Sequence, residues 1–199
     1  MAVKDNKVHF GIKNVYYATV TEVTTTSGTT TTYGSPVALP GAVGLDLSSD
    51  QEVTNFYADD GVYYVTQSDV RYSGELEIAD VPDSFLKDIF GYAQDTGGAL
   101  VEAAENTVKY FALLFETSGD AGGYRTVLYK CSATRPALGG KTKEDSVEVQ
   151  TKTLSITAVS RPDINTISGV EKHLVHSFAK EGADAYANFL SAVHEPIFS

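Results

Sequence analysis

Few residues in this sequence have the types and spacing of a reactive site. Gly139-Gly140-Lys141-Thr142 carries the Gly-Lys-Thr of a phosphate-binding loop. That loop also needs a glycine five positions before its second one, so that backbone N–H groups can cradle phosphates. Arg135 stands there, and a strand pattern follows where a helix is required, so the segment reads as a basic turn. Cys131 is the single cysteine, set in a strand pattern with no base nearby in sequence; it reads as a small buried hydrophobe, not a thiolate nucleophile. His173 and His176 offer two imidazoles at H-x-x-H spacing. No cysteine lies close and the glutamate of H-E-x-x-H is missing, while a structural metal normally takes four ligands. Asp59 and Asp60 lack the alternating acids of a calcium loop and precede Gly61 between aromatic runs, as in a hairpin turn. Glu75 and Glu77 sit ~7 Å apart on one strand face. That suits a glycosidase carboxylate pair and equally a solvated face. No Gly-x-Ser-x-Gly elbow occurs. The residues predict no enzyme, no cofactor and no metal.

The elements that would position these residues are mostly strands. The chain has 199 residues, 42% hydrophobic and 21% charged, with 12 Tyr and 9 Phe. That length favours one domain able to bury a core without disulfides. Valine, threonine and aromatics suit pleated surfaces. Residues 8–13 and 15–23 read as a strand pair turning at Lys13-Asn14. TTTSGTTTT (24–32) is compatible with a loop or a β-hairpin tip; with no apolar residue to bury, it reads as an exposed loop rather than a tip. Residues 51–66, QEVTNFYADDGVYYVT, read as a hairpin about Asp60-Gly61. In 68–78 the alternation puts Val70, Tyr72, Leu76 and Ile78 on one face and Asp69, Arg71, Ser73, Glu75 and Glu77 on the other.

One helix is predicted near 82–93. Asp80 is its expected N-cap, Pro82 lies in its first turn, and Phe85, Leu86, Ile89 and Phe90 form its apolar stripe. It ends at Gly91 or at Gly97-Gly98. VKYFALLFE (108–116) is apolar on both alternating faces, as in a strand covered on both sides. Residues 124–133 return as its hairpin partner, and 146–160 form a long strand whose polarity switches sides midway. After Arg161-Pro162 the strand pattern stops. Residues 183–194 read as a short helix with Tyr186, Phe189, Leu190 and Val193 on one face. The prediction is therefore mainly β: two packed antiparallel sheets, a β-sandwich or open barrel, with one flanking helix and extended loops. Residues 1–161 form that domain, and 162–199 form a C-terminal arm with a short helix, outside the central sheets.

Charge narrows the partners. There are 26 acids against 15 bases, net −11, and residues 1–100 alone hold 14 acids and 5 bases. That balance is poor for gripping nucleic acid; it serves solubility or a surface that repels a polyanion. No run approaches the ~18–20 apolar residues of a membrane span. Residues 1–7 lack the apolar region of a secretory signal, so synthesis in a cytoplasm is expected.

Seven segments then carry a resemblance: FGIKNVYYATV (10–20), YGSPVALPGAVGLDL (33–47), NFYADDGVYY (55–64), YSGELEIADVPDSFLKDIFG (72–91), KYFALLFETSGDAGGYRTVLYKCSATRP (109–136), KTKEDSVEVQTKTLSITA (141–158) and AYANFLSAV (185–193). In this order the chain resembles the major tail protein, or tail tube protein, of long non-contractile-tailed bacteriophages (siphophages), especially those of Gram-positive hosts. The resemblance implies the tail-tube fold and an assembly. Hexameric rings stack into a tube, a tape measure protein lies inside, and tail terminator and tail-tip proteins close the ends. Viral DNA transits the lumen without specific binding. The protein would reside in the virion tail after synthesis in the host bacterial cytoplasm. Within that picture Asp69, Glu75, Glu77 and Glu148 are candidate lumen-facing acids. Phe56, Tyr57, Asp59, Asp60, Tyr63 and Tyr64 are candidate ring-stacking residues. Tyr186, Phe189 and Leu190 are candidate arm contacts between subunits or rings. The alternatives are another ring-forming tail component, terminator-like or secretion-tube-like, and a monomeric β-sandwich that binds glycans through the same exposed aromatics.

Overall fold

The computed structural model describes residues 8–26, 28–51, 53–119, 122–140, 150–167 and 169–198. They form a mainly β protein with antiparallel sheets and, among the described residues, one α-helix. Strand β1 (His9–Thr25) is continuous where a turn was expected at Lys13-Asn14. Asn14, at φ 51°, instead marks a shift of register, and both halves of β1 pair with the same partner strand. Asparagine tolerates positive φ, so the turn signal is absorbed as a bulge. Strand β2 (Gly28–Tyr33) corrects the expectation of a loop over 24–32: Thr24 pairs with Thr29 and Thr25 with Gly28. Branched threonines favour the strand, and Thr31 is buried, its N–H and Oγ1 donating to the Asp163 carboxylate at 2.9 and 2.5 Å.

Short β3 (Val37–Ala38) pairs with β1. Strands β4 (Ala42–Asp50), β5 (Val53–Ala58), β6 (Gly61–Gln67) and β7 (Arg71–Ile78) follow, then α1 (Asp83–Phe90). Pro82, not Asp80, occupies the N-cap position of α1; the Asp80 carboxylate accepts from the Val81 N–H at 2.9 Å and leaves the helix end without a side-chain cap. Gly91 ends the helix at φ 73°, and the Tyr92 N–H reaches back to the Leu86 carbonyl. Gly97-Gly98 serve the small turn between β8 (Ala93–Gln94) and β9 (Leu100–Val101). Then come β10 (Phe111–Gly119), β11 (Tyr124–Ala133), β12 (Lys152–Val159), β13 (Ile164–Ile167), β14 (Val170–His173) and β15 (His176–Lys180). The long strand expected over 146–160 is seen from Lys152 onward; 141–149 lie outside the described residues.

The main sheet runs β2-β1-β10-β11-β12-β7-β4, with β15 on β11 and β3 on β1. Strands β1, β4, β7, β10, β11 and β12 all send side chains into one interior, so the sheet curves over itself in an open, sandwich-like arrangement. Helix α1 plugs that interior: Phe85 meets Tyr17, Phe90 and Phe111 edge to face at 4.9, 5.6 and 5.3 Å.

A second apolar layer covers the opposite face of β1, β10 and β11. Ala18, Ala112, Leu114, Val127 and Tyr129 lie under Ala179, Phe189 and Val193. Residues 174–194 thus differ from the expected arm. Strand β15 hydrogen-bonds to Tyr124–Leu128 of β11, and the Tyr129 hydroxyl bonds Ser177 at 2.7 Å and the His194 carbonyl at 2.9 Å. The short helix expected over 183–194 is a chain of turns. Tyr186 bonds back to Ala183, Phe189 to Tyr186 and Ser191 to Asn188, each three residues apart. Gly182, Asp184 and Asn188 favour such turns over helix.

Candidate functional site

The feature that stands apart from this packing grows out of the β4–β7 pair. The register sets Asp46 opposite Glu75, Leu47 opposite Gly74 and Asp50 opposite Arg71. Gly74 is needed there, because a Cβ would run into the backbone carbonyl of Asp46. Past Asp50 and Arg71 the ladder breaks, bridged by Gln51 Nε2 donating to the Ser68 carbonyl at 3.4 Å. The two strands then resume as the separate β5–β6 hairpin. Asp59 and Asp60 form its turn with φ of 51° and 59°. Positive φ at both central residues is the type I′ signature, whose twist matches a two-residue hairpin.

This hairpin buries almost nothing. Phe56, Tyr57, Tyr63 and Tyr64 are 60%, 65%, 73% and 62% exposed, and Val53, Val62 and Val65 are about as bare. Phe56 pairs with Tyr64, and a bulge brings Tyr63 to 6.5 Å from Phe56 in an edge contact. By alternation Val53 and Tyr57 take the other face, with Val62 opposite Tyr57. Both faces are therefore apolar. Four aromatic side chains of ~150–250 Å² each exceed, even partly exposed, the scatter of single apolar residues that an ordinary surface shows. An isolated two-stranded hairpin is at best marginally stable, so this one gains from whatever covers it.

The acids separate into distinct settings. Glu75 is exposed and Glu77 half-buried on the outer face of β7, where Glu77 accepts from Thr151 Oγ1 at 2.5 Å. Asp46, which the sequence reading passed over, lies beside Glu75 on that face, with Ser73, Thr153 and Ser155 around them. Alternation in β4 alone could have found it. Asp69 does not share the face: it sits in the link between β6 and β7, since β7 begins at Arg71. Lys152 is opposite inward-facing Ile78, off the acidic face, with Nζ on the Ala137 carbonyl. Glu148 lies outside the described residues.

Of the arm candidates, Phe189 is buried and Leu190 half-buried against their own chain. Tyr186 stacks under Arg125, whose Cζ is 4.1 Å from the ring centre. Its hydroxyl donates to Glu116 at 3.3 Å. Glu116, also missed, is a buried carboxylate on β10, and Lys13, Asn14 and Arg125 contact it at 3.0–3.1 Å. Burial alone would raise its pKa; the hydrogen bonds from Lys13, Asn14 and Arg125 outweigh that and hold it below the usual value. The run VKYFALLFE puts this glutamate on a covered strand face but does not show its partners Lys13 and Asn14, which lie far away in sequence.

The remaining chemical candidates fall in unreactive settings. Burial pushes the Cys131 thiol up to about 12. His173 and His176 belong to no group of three or more metal-capable side chains among the described residues. Gly139 and Gly140 are exposed, and Lys141 and Thr142 lie outside the described residues. The chain matches no protein-family model and no curated protein.

Proposed function

We propose that this protein is a structural, non-catalytic subunit of a long non-contractile bacteriophage tail. Copies join into hexameric rings and the rings stack into the tube through which viral DNA leaves. The carrying observation is the β5–β6 hairpin, apolar on both faces and left exposed by the described residues of its own chain. A ribbon bare on one face can lie on a surface; one bare on both is suited to insertion between two. Stacking of successive rings supplies two surfaces, and a head-to-tail contact repeats without closing, as a filament requires. The segment order of the tail-tube resemblance supports the same reading. So does the outer face carrying Asp46, Glu75 and Glu77, which would repel phosphates if it lined a channel. A tape measure protein would occupy the lumen, and terminator and tip proteins the ends.

Electron microscopy of the purified protein at rising concentration, and with purified tail-tip complex, tests this. Hollow tubes or stacked rings are expected. Particles that stay monomeric under both conditions, with binding to immobilised glycans, would replace the proposal with a glycan-binding module.

A further inference from the structure

The hairpin has a complementary surface on the same chain. Strand β15 turns Ser177 and Ala179 toward the second apolar layer and leaves His176 and Phe178 on the other side of the sheet. Phe178 is 61% exposed. It lies 5.9 Å from Tyr124 and 6.4 Å from His176, and His176 lies 5.3 Å from Tyr72, so four rings run in a row across β11, β15 and β7. Lys180 Nζ stands 5.9 Å over the Tyr124 ring at one end. At the other end Tyr72 pairs with Ser49, one step from the Asp50–Arg71 root of the hairpin.

We infer that this row receives the β5–β6 hairpin of a second copy of the chain, an inference that rests on the self-assembly reading above. Three observations favour a second copy as the occupant. The row's ring-to-ring distances extend over a length comparable with six-residue β5 at ~3.4 Å per residue. The chemistry is complementary: aromatic rings meet aromatic rings, and the Asp59-Asp60 tip meets the end that carries Lys180. The geometry also propagates. Because the row ends at the root of its own subunit's hairpin, each copy that accepts a hairpin presents its own beyond that point. The contact is heterologous and leaves one free hairpin and one free row at the two ends of any stack.

The test uses two surface variants of the full chain. Phe178→Ser removes the centre of the row; Phe56→Ser with Tyr64→Ser removes one hairpin face. Both positions are exposed, so folding is checked by unchanged melting of the monomer. Each variant alone is expected to raise the critical concentration for polymerisation about tenfold or more, measured by sedimentation. Mixed, the two leave only one functional pairing, so they are expected to form short capped species and no tubes. A Phe56→Cys chain mixed with a Phe178→Cys chain is expected to form a disulfide-linked pair on mild oxidation. If Phe178→Ser polymerises like the unaltered chain while the hairpin variant does not, the row is wrong and the self-assembly reading stands. If the unaltered chain never polymerises at any concentration or on tail-tip complex, and no cross-linked pair forms, both fail.

Discussion

Strand β10 and the β5–β6 hairpin are written in the same kind of sequence and meet opposite fates. Each carries apolar residues on both alternating faces. In β10, Phe111 and Leu113 enter the main interior, while Ala112 and Leu114 lie under the C-terminal segment. In the hairpin, the aromatics of both faces meet solvent. Two-sided hydrophobicity therefore encodes a demand for two covers without saying where they come from. For β10 the same chain supplies both; for the hairpin the described residues supply neither, which is why assembly is the function proposed.

The comparison breaks most readily in the core. Phe111→Ala should cost about 4 kcal/mol of monomer stability, from lost transfer energy and the cavity left behind. Tyr63→Ser should cost no more than about 0.5 kcal/mol, read by urea denaturation of monomers. Equal losses would mean that the hairpin packs against its own body. Phe189→Ala should cost about 3 kcal/mol by uncovering one face of β10. A negligible change in the same titration would return residues 174–194 to the status of a detachable arm.

Glu116→Gln is expected to cost about 2 kcal/mol at neutral pH, because Lys13 and Arg125 keep a weaker acceptor. The linkage has a definite sign. The folded carboxyl titrates below the unfolded one, so the unfolded chain binds more protons between the two values. Its contribution is complete above the ordinary glutamate pKa and is lost as pH falls through the folded value. Melting temperature against pH should show a shallower acid limb in the variant; an unchanged limb would assign the acid sensitivity elsewhere. A small effect on folding is expected from Glu75→Lys with Glu77→Lys, within about 1 kcal/mol by thermal melting. Tubes should still form, and phage carrying the change should deliver DNA poorly. Full infectivity would place the acidic face away from the channel.

The sequence was legible where one local rule decided the outcome. The hairpin turn at Asp59-Asp60-Gly61, the helix stripe of Phe85 and Ile89, and the two-sided burial of 111–116 follow from periodicity and turn chemistry. It misled where a distant partner decided. Asn14 reads as a turn until β10 pairs across both sides of it. The threonine run reads as a loop until Asp163, remote in sequence, bonds Thr31. Residues 183–194 have helical spacing, yet Arg125 holds the Tyr186 and Ala187 carbonyls in a turn path through bonds of 2.6 and 3.3 Å. Glu116 reads as one more covered position of its strand until Lys13 and Asn14, remote in sequence, contact it. Of the candidate site, the bare aromatics and the Glu75–Glu77 face were readable from alternation, whereas the ring row needed the pairing of β15 with β11.

A ribosome releases β10 and β11 well before residues 174–194, which cover their outer face. A nascent chain therefore carries Leu114, Val127 and Tyr129 uncovered until residues 174–194 emerge. Exposed strands of this kind are what chaperones hold and what aggregates recruit. The chain closes this face only once residues 174–194 are free of the ribosome, and what it then leaves bare is the hairpin.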